Sequence, residues 1–234
     1  MTEEPVTVWE RPERGARGPA PERSREQLTR TAIRLADAGG LAAVSVRQVA
    51  GELSTGPASL YRYIGGRDDL VDLMTDAVTG EIDLAVALTG DPVTDLVDLA
   101  TRTREVQLRH PWLLEVPPEA LRVGPRGLDL LEFALGALAP AQLPGRAALE
   151  AVAAMNALVA MVSRAELRGP WAPTGRQAAQ AAYLMTTARR GAHPLLAQAL
   201  AGRTAADLTE DARSFERVIR GALAGLLAPD PRTE

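Results

Sequence analysis

Glycine and proline cut this chain into short helical pieces, and that punctuation limits its fold more than any other feature. Leu28, Ala32, Leu35 and Ala36 lie at offsets 0, 4, 7 and 8, the stripe of an amphipathic helix. Gly39-Gly40 closes that helix, since glycine readily takes the left-handed backbone at which helices often end. Ser45 offers a hydroxyl to the free amides of a second helix over 45–53, whose Val46, Val49, Ala50 and Leu53 share a face. Ser54-Thr55-Gly56 makes a turn, and Pro57, pre-set for a first helical turn, opens a third helix over 57–64. Gly65-Gly66 breaks the chain again before a fourth helix marked by Leu70, Leu73, Met74 and Ala77. A joint of about three residues between the second and third helices sets them at a steep angle. That is the arrangement of a helix-turn-helix, whose later helix enters a DNA major groove.

Beyond residue 80 there is neither strand alternation nor a repeat. Helical stretches separated by proline or glycine fall at 92–109, 124–139, 146–168, 175–190 and 209–227, so the predicted class is all-α. The 146–168 stretch is apolar almost all round and is expected to be buried on several sides. In the last stretch Phe215, Val218, Ile219, Ala222, Leu223 and Leu226 form one stripe, while Gly221 and Gly225 leave room for a close helix partner. Residues 1–22, with four prolines and no periodicity, read as a flexible tail. The expected organisation is a tail over 1–22, a helix-turn-helix domain over 23–70 and a larger helical domain over 71–230.

The net charge of −4 hides an asymmetry. Residues 14–67 carry nine Arg against four acids, whereas 71–234 carry sixteen Arg against twenty acids. A compact basic segment joined to an acidic remainder suits a nucleic-acid-binding module with a second domain attached. Cysteine is absent, which removes disulfides, thiolate-bound metals and cysteine nucleophiles. With His110 and His193 the only imidazoles, no metal centre is expected, and no cofactor. There is no nucleophile–base pair or phosphate-cradling glycine loop, so no catalytic residue is assigned. Asp68-Asp69 is a paired-carboxylate candidate, but adjacent helical residues diverge, and acids favour a helix N-terminus. The longest nearly apolar run, 151–162, is short for a membrane span, and no apolar segment follows the N-terminus. A cytoplasmic, nucleoid-associated protein without a membrane partner is therefore expected.

The stretch from Leu28 to Ala77 resembles the DNA-binding domain of the TetR family of bacterial transcriptional repressors. The resemblance rests on Ala32, Leu35-Ala36, Gly39-Gly40-Leu41, Ser45-Val46-Arg47-Gln48-Val49-Ala50, Ser59-Leu60-Tyr61-Arg62-Tyr63-Ile64 and Arg67-Asp68-Asp69-Leu70. Two departures stand out: Ser54-Thr55 replaces a Gly-Val type pair, and Tyr63-Ile64 replaces His-Phe. The remainder is similar, more loosely, to the ligand-binding domain of the tetracycline-repressor branch. The cues are Arg109-His110-Pro111-Trp112, Gly124-Pro125 through Leu130-Leu131-Glu132, and the helix ending near Glu166-Leu167. Neither histidine falls where that repressor supplies its metal-ligating imidazole, so the resemblance does not extend to a metal–tetracycline effector.

On DNA, cations and amides on phosphates supply affinity, and base-edge contacts supply specificity. Arg47 is the candidate base reader, because a guanidinium matches guanine O6 and N7; a solvated surface Arg is the alternative. Ser59 and Arg62 are candidates for bases or phosphates, Tyr61 and Tyr63 for phosphates, with Gln48, Thr55 and Ala58 completing the face. Partial burial is the competing reading of Tyr61. The resemblance gives Arg67 a phosphate contact, against a plain solvated charge. Arg14, Arg17, Arg23 and Arg25 are candidates for a minor-groove arm, against a tail with only non-specific electrostatics.

The resemblance also implies a homodimer through helices 146–168 and 209–227, with Val152, Val159, Phe215, Val218, Ile219, Ala222, Leu223 and Leu226 at the interface. Candidate effector-pocket residues are polar or soft side chains in apolar helices: Arg104, Gln107, His110, Trp112, Phe133, Met155, Asn156, Met161 and Tyr183. For Met155, Met161 and Phe133 the alternative is ordinary core. Asn156 is also a candidate for dimer register, Trp112 for a core plug and His110 for a helix cap. The leading function is a homodimeric repressor of a palindromic operator, released by a small, largely apolar effector. An activator or ligand-independent regulator of the same fold is the alternative, and an all-α ligand carrier or enzyme a remote one.

Overall fold

The computed structural model describes residues 6–11, 24–117, 122–167, 175–188, 190, 192–201 and 212–228. Ten α-helices carry them, with no strand among the described residues. In chain order they are α1 (Arg25–Gly39), α2 (Val46–Glu52), α3 (Pro57–Leu60), α4 (Arg67–Thr79), α5 (Pro92–Arg109), α6 (Pro125–Leu138), α7 (Gly145–Leu167), α8 (Gly175–Ala188), α9 (Pro194–Ala199) and α10 (Ala212–Leu226). Short 3-10 turns follow α1, α5 and α6. The third helix is shorter than its predicted 57–64, because the chain turns at Tyr61–Tyr63 to bury Tyr63 and Ile64. The short α9 was not foreseen, since six residues show too little periodicity.

Local chemistry sets the helix ends. Ser24 and Gln27 form a capping box on α1: the Gln27 amide donates to Ser24 Oγ at 3.2 Å, and the Ser24 amide to Gln27 Oε1 at 3.1 Å. Gly40 follows at φ +73°, a backbone that other residues rarely adopt, and the Glu115 carboxylate occupies the space a side chain would need. Ser45 caps α2 by accepting from the Gln48 amide at 3.2 Å. Leu28, Ala32, Ala36, Val46, Val49, Leu60, Ile64, Leu70 and Met74 then close one small core among α1 to α4. In the larger domain α5 is central, with α6, α7 and α10 packed against it around Leu96, Leu99, Val159 and Ile219.

Two expectations are corrected. Within the 1–22 tail, residues 6–11 fold as a turn: Val8 is buried, Arg11 pairs with Asp69 at 3.2 Å, and Arg25 donates to the Arg11 carbonyl at 2.8 Å. One apolar valine and an arginine gave no periodic signal, yet they suffice to anchor the segment. The α7 helix, expected to be buried on several sides, is covered by its own chain on one face, with Met155, Val159 and Ser163 inward. Its other face exposes Leu149 and Met161, the latter 55% exposed. At 23 residues this helix is long and apolar enough to cross a membrane, unlike the 151–162 run alone. Length and composition do not distinguish such a span from a helix covered by another protein surface.

Candidate nucleic-acid interface

The helix-turn-helix leaves several polar side chains on α2 and just after α3 exposed. Arg47 and Gln48 stand exposed on the first turn of α2, while Val46, Val49 and Ala50 turn into the core. The Ser45 hydroxyl also donates to Gln48 Oε1 at 2.6 Å, fixing that amide. Ala58, Tyr61 and Arg62 are exposed on and just after α3, Tyr61 by 56%, and Thr55 and Ser59 are half-buried beside them. Seven of the predicted DNA residues are thus at least partly exposed on α2, α3 and the turns beside them.

Two others are placed differently. Tyr63 is only 6% exposed and packs in the domain core rather than offering a hydroxyl to phosphate. Arg67 is exposed at the start of α4, and its guanidinium donates to the carbonyls of Val44 at 3.0 Å and Leu41 at 2.9 Å. It braces the turn before α2. Of the proposed arm, Arg14, Arg17 and Arg23 lie outside the described residues; Arg25 holds the carbonyls of Tyr63 (3.1 Å) and Arg11, so it is part of the scaffold.

The seam between the domains contains charged residues that sequence reading missed. Asp37, near the end of α1, takes both His110 Nδ1 (2.7 Å) and the Trp112 indole N–H (2.8 Å) on one carboxylate oxygen. His110 Nε2 faces Glu81 at 3.2 Å, and Glu81 also pairs with Arg109 at 2.6 Å. The Leu41 amide donates to Glu115 at 3.1 Å. On the other side of α4, Asp76 accepts from the amides of Arg126 (2.9 Å) and Gly127 (3.1 Å) at the start of α6. Burial raises the Asp76 carboxyl above its usual range, against the lowering effect of those two amides. Arg122 pairs with Asp72 and Asp68; desolvation opposes its charge, and the two carboxylates more than offset it. All these partners are long-range, so no local pattern signals them.

The predicted effector residues do not form one pocket. His110 and Trp112 belong to the seam and are buried there. Arg104 is held by Glu166 through bonds of 2.9 and 3.0 Å and lies 5.2 Å from the centre of the Phe215 ring. Met155 is core, whereas Asn156, Met161 and Tyr183 lie on the outside, and Gln107 is half-buried with an unpartnered side-chain oxygen. Phe133 alone lines a cleft, of about 390 Å³, with Val86, Leu88, Val97, Arg102 and Arg220.

Five of the eight dimer assignments are corrected in the same way. Val152, Val159, Phe215, Ile219 and Leu223 are buried within a single chain, because the most apolar stripe of each helix faces α5 rather than outward. Val218 and Ala222 are half-buried, and Leu226 is exposed. Among the described residues of these two helices, the uncovered apolar surface includes Leu149, Ala153, Ala157 and Met161 of α7, beside Gly221, Ala224, Gly225 and the predicted Leu226 of α10.

Comparison with known proteins bears on this arrangement. Residues 28–74 match the family model described as bacterial regulatory proteins, tetR family, and residues 89–229 match the tetracyclin repressor-like C-terminal domain. The HTH-type transcriptional repressor DrrR1 of Streptomyces coeruleorubidus is 34% identical over 161 residues, which is 68% of this chain and 60% of that protein. An HTH-type transcriptional regulator of Saccharopolyspora erythraea is 32% identical over 225 residues, covering 96% of this chain and 92% of its own length. Among solved structures, the TetR family protein ActR of Streptomyces coelicolor, in complex with actinorhodin, superposes with a TM-score of 0.73 at 26% identity. That match covers 91% of this chain and 99% of ActR. With both domains matched in order, this chain belongs to the TetR family of transcriptional regulators.

Proposed function

We propose that the chain is a homodimeric repressor that binds a palindromic DNA operator and is released by a small molecule. The observation that carries this reading is the exposed face of Arg47, Gln48, Ala58, Tyr61 and Arg62 on a helix-turn-helix braced from behind by Arg67. Arg47 reads a base edge, and Tyr61 and Arg62 meet phosphates. A second copy packs on the apolar outer faces of α7 and α10, where Gly221 and Gly225 admit a close helix. Two recognition helices then lie about 34–36 Å apart, one turn of duplex. The similarity to DrrR1, a repressor, supports the direction of control, and the ActR complex with actinorhodin supports a small-molecule effector.

The test is binding to a labelled duplex spanning the promoter region beside the gene for this protein, over a salt series. Nanomolar binding of two chains per duplex with a steep salt slope is expected. Binding that stays weak and equal to that of scrambled DNA, there and in a genome-wide selection of fragments, refutes the reading.

A further inference from the structure

A second cleft, of about 470 Å³, opens where α1, α4 and the start of α6 meet the N-terminal turn, a volume within the range of small-molecule sites. Ile33 of α1 and Leu73 and Ala77 of α4 give it apolar walls, and the half-buried Trp9 adds an aromatic one. Buried Asp76 also belongs to the lining. A side-chain carbon on Gly124 would stand 2.4 Å from Asp76 Oδ1 and 2.5 Å from Cζ2 of Trp9. The indole and the carboxylate therefore lie beside each other, in the room that this glycine leaves.

Both α6 amides donate to the same carboxylate oxygen, Oδ1, so Asp76 Oδ2 has no hydrogen bond among the described residues. The cations of the lining are engaged elsewhere: Arg25 on the carbonyls of Tyr63 and Arg11, Arg30 with Glu26, and Arg126 with Asp129 at 3.6 Å. Burial raises the Asp76 carboxyl, and the two amides and the Arg126 charge lower it by less, so its negative charge is short of compensation. An ammonium supplies that compensation, and an aromatic face beside the carboxylate attracts it from a second side. A ligand acid meets the opposite conditions, since it has to draw Arg30 or Arg126 from its partner and approach the Asp76 charge.

We infer that this cleft binds a small primary amine with an aromatic body, the ammonium donating to Asp76 Oδ2 beside the Trp9 ring and the body lying on Ile33, Leu73 and Ala77. The site is separate from the cleft beside Phe133 and does not rest on the repressor reading. Its walls come from the N-terminal turn, α1, α4 and α6, so an occupant adds its binding energy to the packing of these four against one another.

The experiment titrates the full chain with phenethylamine at neutral pH by isothermal titration calorimetry. Saturable binding of one amine per chain is expected. 3-Phenylpropanoate, of like size but with an acid for the amine, should bind at least tenfold more weakly. Asp76→Asn keeps an oxygen for the α6 amides and Trp9→Leu keeps an apolar side chain, and each should weaken the amine at least tenfold. Glu216→Gln, in the cleft beside Phe133, should leave it unchanged. Saturating amine should also raise the Tm of the parent chain and leave that of Asp76→Asn where it was. Amine binding that is indifferent to Asp76 and Trp9, or as sensitive to Glu216, overturns the inference. So does a parent chain that binds the acid as well as the amine, or shows no saturable amine binding, and those two results need no variant to fold.

Discussion

Asp37→Ala removes the one oxygen on which two donors of the larger domain converge. The Trp112 ring is buried, so its indole N–H loses its partner where water cannot replace it, a cost of about 1–3 kcal/mol. The His110 bond to a carboxylate is intrinsically as strong, but the Asp37 side chain is 35% exposed, and solvent screening reduces its share. Together they give a loss of about 2–4 kcal/mol. For a chain of this size that corresponds to a fall in Tm of about 5–15 °C. Thermal unfolding followed by far-UV circular dichroism, at one fixed protein concentration, measures it. Asp37→Asn keeps the carbonyl oxygen and should recover at least half of the loss. A fall below about 2 °C for Asp37→Ala, or an Asn variant no better than Ala, would show that the seam is not held through this carboxylate.

Arg47→Ala should weaken operator binding by about 1–3 kcal/mol, roughly five- to hundredfold, measured by fluorescence anisotropy; Tyr63→Phe, in the core, should change it less than twofold. Met161→Glu puts a charge on the uncovered apolar face of α7, so light scattering should find a monomer with lost operator affinity; an intact dimer would place the interface elsewhere. The raised Asp76 carboxyl means that folding favours its protonated form, an advantage present at low pH and lost as pH rises past 3.8 and through the folded value. The Tm of the parent chain relative to Asp76→Asn should therefore fall between pH 3.8 and neutrality, and a rise over that range would refute the assignment.

What was legible in the sequence was whatever is encoded locally. Ser24, Ser45, Pro57 and the glycine pairs act on the residues beside them, so the helix-turn-helix could be traced almost residue by residue. The exposure of Arg47 agrees with the periodicity that turns Val46, Val49 and Ala50 inward, whereas for Tyr61 periodicity left burial open. The dimer stripe failed for the same reason that it was noticed. Phe215, Ile219 and Leu223 form the most apolar line on α10, and a chain first covers its own most apolar line, against α5. The surface left over is made of alanine, glycine and a few larger residues, too mild to register as a stripe. The cleft was missed because Val86 and Leu88 occur in an irregular segment, where two apolar residues have no period to match. Tyr63 was misread because an aromatic ring can face either way; only packing decides.

The acids of α4 show how the missing information is distributed. Asp68 and Asp69 read locally as favourable charges at a helix start, and they occupy that position. Yet Asp69 also accepts from the Gly65 amide at 2.6 Å and pairs with Arg11, so it holds the N-terminal turn. Asp68, Asp72 and Asp76, each four residues on, lie along one side of the helix and take Arg122 and the first amides of α6. The helix after the DNA-reading unit is thus fastened to residues 6–11 on one side and to α6 on the other. A shift of α6 moves the groups on which those carboxylates close, and α4 has either to follow or to give up bonds that are partly buried.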